Sequence, residues 1–146
     1  MRTQQEVEKL VLGEKLWEEK GKVVGVSVKS IGPEGVRTEF SFASEIKGLG
    51  RFPNCKNFGT FDNVMTPAGP ASGTGQGICT AENGDTAAWK AYTMGKSEGA
   101  KRKGVLIIQF MTTSQKLSWL NSLIVVYDTV TDATTSEFTG TGYEWK

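Results

Sequence analysis

The chemistry open to this chain is bounded first by what it lacks. It has no histidine, which excludes Ser-His-Asp and Cys-His catalysis and any histidine-bearing metal site. Its two cysteines, Cys55 and Cys79, cannot complete a zinc site alone. Cys79 as a nucleophile would need a nearby lysine or helix N-terminus to lower its pKa, so an inert buried thiol is expected. The acidic residues offer more. Glu82 and Asp85 flank Asn83-Gly84, and a two-residue hairpin loop would set the two carboxylates opposite each other. At a solvated hairpin end both are simply screened. At a barrel mouth they would bind a cation or hold one raised pKa. Asp128 and Glu137 could join them, and an isomerase- or cyclase-type enzyme would need one of the four to reach a cavity.

Three further motifs have plain readings. Gly73-Thr74-Gly75-Gln76-Gly77 imitates a nucleotide fingerprint but runs into Ile-Cys-Thr-Ala-Glu and then a hairpin. A dinucleotide loop must instead open a helix. Glycine at every second position strips one face of a strand, which suits a barrel bend, coverage by an aromatic ring, or close approach of a ligand. Lys101-Arg102-Lys103 lies in a turn without interleaved aromatics and reads as solvated. With 17 basic and 16 acidic residues the net charge is +1, so neither nucleic acid nor an anionic membrane is an expected partner. Phe40, Phe42 and Trp89 are the candidates to line a lumen that takes a small apolar ligand. No cofactor and no metal is expected.

These residues must be placed by the elements around them, and the hydropathy pattern is mostly of period two. Val24, Val26 and Val28 alternate, and residues 36–47 form the cleanest half-buried strand. Further strands are expected over 58–66, on both sides of Asn83-Gly84 within 73–95, and over 104–112, 122–131 and 136–145. A two-residue loop at Asn83-Gly84 predicts that Ile78 faces Trp89, and that Gly75 and Gly77 face Tyr92 and Lys90. Two segments read as helical. Residues 3–20 carry Val7, Leu10, Val11 and Trp17 near helical spacing, with Thr3 and Glu6 as a capping box. A strand starting at Glu14 fits that stretch equally well. Ser114 can cap a short helix carrying Leu117, Trp119 and Leu120.

The expected fold is all-β and mainly antiparallel: an eight-stranded meander closed into a barrel, with a sandwich as its rival. One domain, 1–146, is expected, with the 1–20 helical segment packed on it and one short helix before the last two strands. The runs 105–111 and 123–127 are apolar on both faces. Their outer faces, within strands 104–112 and 122–131, therefore need cover from a helix or from a second copy in a homo-oligomer. No apolar leader and no 20-residue apolar run is present, so a cytoplasmic protein with reduced thiols is expected.

Gly75-x-Gly77, Thr80, Gly84-Asp85, Ala87 and Trp89, with Thr112-x-Ser114-x-Lys116-Leu117, Leu120-Asn121 and Glu144-Trp145-Lys146, resemble a family of small archaeal and bacterial β-barrel proteins of unknown function. The chain departs from that pattern at Asn83 and Ala91, and lacks arginines the family carries in the strand 104–111. In architecture it is similar to calycin-like and allene oxide cyclase-like barrels. The resemblance implies a barrel and assigns no activity. The leading expectation is therefore a small-molecule-binding or interaction barrel. The alternatives are a barrel enzyme built on a buried carboxylate and a structural homo-oligomeric subunit.

Overall fold

The computed structural model describes residues 10–67 and 69–146. Eight strands follow one another: β1 (Leu12–Gly32), β2 (Gly35–Gly48), β3 (Cys55–Met65), β4 (Ala71–Ala81), β5 (Thr86–Glu98), β6 (Lys101–Met111), β7 (Ile124–Asp132) and β8 (Glu137–Trp145). Each pairs antiparallel with its neighbour in sequence, and β1 pairs with β8 to close the barrel. The period-two pattern is thus satisfied with one face turned into a shared core and the other turned outward.

No helix forms over residues 12–20, which belong to β1; residues 3–9, with the Thr3–Glu6 box, lie outside the described residues. Leu16 and Trp17 are both buried, and neighbouring buried residues imitate helical spacing. The register of β1 against β8 shifts between Lys15 and Trp17, and that irregularity lets both side chains leave solvent. Pairing with β2 on one side and β8 on the other overrides local helix propensity. The expected helix near 114–121 is a 3-10 turn, Ser118–Ser122. Ser114 does accept the Leu117 N–H, at 3.3 Å.

The β4–β5 register also differs from expectation, by one residue. Gly84 N–H donates to Ala81 O at 2.9 Å, and Ala81 N–H donates to Asp85 O at 2.8 Å. Gly84, at φ 92°, supplies the left-handed step after the turn. The loop therefore has three residues rather than two. Ile78 faces Ala88, Gly77 faces Trp89 and Gly75 faces Ala91, while Tyr92 points outward at 72% exposure. The slip exchanges every predicted cross-strand partner in this hairpin.

The two barrel ends differ. At one end Leu16, Phe52, Leu117, Leu120 and Leu123 are buried as a plug. Phe52, from the β2–β3 loop, lies 4.6 Å from the Trp17 ring. Arg51 covers the Trp119 ring at 4.0 Å and reaches Glu144 at 3.4 Å. At the other end β1 outruns its partner: its pairing with β8 stops at Lys22, and the stretch from Gly25 to Gly32 pairs with β2 alone.

Inside the barrel, aromatic rings lie on glycines. A Cβ at Gly142 would come within 2.7 Å of the Trp17 ring, and one at Gly59 within 2.7 Å of Trp89. Trp89 also covers Gly77, and Phe61 covers Gly75. Gly75 and Gly77 of β4 are therefore seats for rings, while Gly73 makes room for the Asn63 side chain and the Asp62 carbonyl. Gly142→Val should lower unfolding free energy by about 2 kcal/mol, as expected for overpacking beside a fixed ring. Urea denaturation followed by tryptophan fluorescence measures this.

Candidate functional site

The barrel encloses a cavity of about 950 Å³. Its wall is an aromatic layer from several strands. Phe61 lies 5.3 Å from Phe40 and 5.8 Å from both Phe42 and Trp89, and Phe42 lies 5.6 Å from Phe138. On β4 the inward positions Gly75 and Gly77 carry no side chain, and the Phe61 and Trp89 rings lie against their backbone. Phe40, Phe42 and Trp89, the candidates from sequence, all line this space.

The acidic candidates do not. Glu82 is exposed at the plugged end, where Asn54 Nδ2 donates to it at 3.4 Å. Asp85 accepts from Ser114 Oγ and Asn83 Nδ2, each at 3.0 Å. The one-residue slip and this local bonding separate the expected pair. Asp128 and Glu137 are exposed. None of the four lines the cavity.

The carboxyl that does line it is Glu19, at 5% exposure. Trp17 Nε1 donates to its Oε1 at 3.1 Å, and Asn57 Nδ2 donates to its Oε2 at 3.1 Å. Ser44 Oγ donates to Oε2 at 2.5 Å. Asn57 Oδ1 in turn accepts from Trp89 Nε1 at 2.8 Å and from Cys79 Sγ at 3.4 Å. Burial pushes the Glu19 pKa up, while hydrogen bonds from Ser44, Asn57, Trp17 and Tyr127 hold it back. Beside it, the Tyr127 hydroxyl is shielded from solvent against Gly140, with Glu19 and Thr129 as its polar neighbours. Burial first, and then the Glu19 charge, push the phenol well up, so it stays protonated.

Glu19 escapes a helical reading because its neighbours Glu18 and Lys20 are exposed and the trio resembles a polar face. Extending the two-residue period backward through Gly21 to Glu19 and Trp17 is the signal that finds it. Burial drives both thiols up as well, Cys55 to about 11 and Cys79 well above its usual value. Neither is an activated nucleophile. Among the described residues no group of three or more acidic or cysteine side chains is placed to hold a metal ion.

Towards the open end a second buried acceptor, Asn63 Oδ1, has no partner among the described residues. Arg102 crosses the mouth from β6 to β3, with Nη1 3.6 Å from Met65 Sδ. On the outer wall Tyr92, Met94, Val105, Ile107 and Met111 are exposed. The 3-10 turn caps the plugged end and leaves these outer faces uncovered. No helix among the described residues is long and apolar enough to cross a membrane.

No protein-family model and no curated protein sequence matches the chain. Solved structures do share its fold. A protein of unknown function from Clostridium acetobutylicum ATCC 824 matches with a TM-score of 0.79 at 13% identity, over 94% of this chain and 98% of that one. A β-barrel-like protein from Acinetobacter baumannii AYE matches at 0.74 and 16%, over 94% and 97%. An enzyme from Penicillium herquei matches at 0.65 and 13%, over 92% and 95%. The architecture is thus one found in bacterial β-barrel proteins of unknown function, as the resemblance implied. These identities carry the fold alone.

A raised Glu19 pKa means that the folded chain holds this proton more tightly than the unfolded one. Stability from this group is full below the ordinary glutamate value of 4.5 and falls as pH rises above it. The stability difference between wild type and Glu19→Gln should therefore shift against wild type as pH climbs from 4.5 towards neutrality. Thermal melts of both proteins across that range test the sign.

Proposed function

We propose that the chain is a receptor for a small, largely apolar molecule with a polar end, admitted through the open mouth. The observation that carries this reading is the cavity of about 950 Å³, walled by aromatic rings. Its size is that of sites that enclose drug-sized ligands. The polar residues Glu19, Thr38 and Asn63 in its lining support a ligand that carries hydrogen-bonding groups as well as apolar bulk. The one-ended lumen supports kinship with calycin-like barrels at the level of architecture. The two buried free thiols suit a reducing, cytoplasmic setting.

N-phenyl-1-naphthylamine should bind with a blue shift and a rise in fluorescence. Thr93→Trp, which fills the mid-lumen, should weaken binding at least tenfold while leaving the melting curve cooperative. Absence of binding to wild type, or equal binding to the variant, overturns the receptor reading.

We also propose that a second copy of the chain covers the outer face of β5 to β7. Tyr92 pairs with Ile107 and Met94 with Val105, and all four side chains are exposed. They make one continuous apolar strip, edged by Lys90 and Asp128. Opposite charges at the two borders of one patch suit a self-complementary two-fold contact. Sedimentation velocity at micromolar concentration should show a dimer, and the double variant Tyr92→Lys, Ile107→Lys should sediment as a monomer.

A further inference from the structure

We propose that Arg102 recognises an anionic head, and that the ligand of the lumen is an elongated aromatic carboxylic acid, bound rings first with its carboxylate at the mouth. This rests on the receptor reading and adds to it the ligand's charge and its orientation.

The charges around the cavity are unevenly paired. Its lining includes Glu19, Lys96, Arg102, Lys103 and Asp132. Glu19 is held at the floor by Trp17, Ser44 and Asn57. Lys101 Nζ lies 3.2 Å from Asp132 Oδ2, and Lys103 Nζ lies 3.2 Å from Glu98 Oε2. Lys96 continues the outward row of Tyr92 and Met94 on β5. Arg102 differs from all of these. It belongs to the inward row of β6, with Gly104, Leu106 and Ile108. Its guanidinium reaches over the opening to Met65 Sδ on β3 at 3.6 Å, although β4 and β5 stand between the two strands in the ring. Among the described residues no carboxylate lies within ion-pair distance of it. A thioether is a weak acceptor, so this guanidinium rests on a poor partner. A carboxylate would accept two parallel N–H bonds from the same planar fork.

The floor decides the orientation. Its donors are already engaged: Trp17 Nε1, Ser44 Oγ and Asn57 Nδ2 with Glu19, and Trp89 Nε1 and Cys79 Sγ with Asn57 Oδ1. An anion carried to the floor would shed its hydration without finding a free donor among these, and it would meet the Glu19 carboxyl where water screens little. At the mouth the same anion keeps part of its hydration and gains the guanidinium. Asp132 borders that opening too, so a head with one charge is favoured over a doubly charged one.

The aromatic layer decides the body. Phe61, Gly75, Ala91 and Ile108 follow one another in register from β3 to β6, and the Phe40 ring stacks on Phe61 at 5.3 Å. From that row at Ile108 to Arg102 is about 20 Å along the strand, and less along the axis of a barrel with tilted strands. Thr93 and Thr129 line the interval. A ligand that spans it places aryl rings beside Phe40, Phe42, Phe61 and Trp89, where ring pairs form, and runs a short linker past the threonines to its acid group.

The probes are biphenylbutanoate and biphenylbutanol, which share rings and linker and differ only at the head. Each is titrated against bound N-phenyl-1-naphthylamine at neutral pH, in wild type and in Arg102→Gln. Wild type should release the dye to the acid, and added salt should weaken the acid but not the alcohol. Arg102→Gln should weaken the acid about fivefold, the upper end for a solvent-screened ion pair, and leave the alcohol and the dye unchanged. If the variant weakens acid and alcohol alike, or weakens neither, head recognition by Arg102 is refuted and the receptor stands. If the dye binds and the acid fails to displace it, the aromatic acid is refuted as the ligand class. If the dye does not bind wild type, the receptor reading falls and takes this proposal with it.

Discussion

The pairing of β1 with β8 is the constraint on which everything else depends. Seven antiparallel pairings between sequence neighbours would make only a curved strip with two open edges. The eighth turns the strip into a ring, removes those edges over most of their length and creates an inside. Trp17, Glu19 and Gly21 on β1 become interior residues because they lie between β2 and β8. Without closure Glu19 would be one more solvated acid. With closure it is a buried charge that needs compensation, and it recruits donors from β1, β2 and β3. The polar floor is therefore a product of topology as much as of residue type.

Interior volume in a barrel of eight strands is close to what side chains can fill. This chain divides that volume unevenly. The plugged end is dense with leucines and Phe52. Higher up, a ring from one strand lies across a glycine of another, as with Trp17 on Gly142, Phe61 on Gly75 and Trp89 on Gly59 and Gly77. Each such pair places a large flat group against backbone and frees the space on its other side. The lumen and the stability of its wall thus share one source, since the rings that bound the cavity also contact one another.

Much of this was legible in the residue pattern. The strand run 36–47, the apolar runs 105–111 and 123–127 and the turn at Asn83-Gly84 correspond to β2, β6, β7 and the β4–β5 hairpin. The meander order and closure follow from short connections and an even strand count. Three things were not legible, each for a physical reason. Residues 12–20 look helical because an irregular register buries Leu16 and Trp17 together. The hairpin register depends on whether Gly84 closes a two- or three-residue loop, and both loops tolerate the same dipeptide. Glu19 was hidden because burial is decided by pairing across the barrel, while its flanking residues Glu18 and Lys20 advertise a polar surface. Phe40, Phe42 and Trp89 were visible because strand aromatics in an alternating pattern have few other places to go.

The overhang of β1 above β8 leaves a row of backbone amides and carbonyls beside exposed Val24, Val26 and Val28. A straight, valine-rich edge of that kind is a template for growth of one molecule onto the next. Here the register of β1 breaks twice within this short stretch, between Val23 and Gly25 and between Val28 and Ser30. Lys29 stands at the second break and reaches Glu39 on β2 at 3.9 Å. Bulges twist an edge away from a flat partner, and an edge lysine resists burial against one. The same breaks that shape the rim of the mouth therefore protect the chain against fibril formation, so that a barrel can keep one rim open to solvent without becoming a seed for polymerisation.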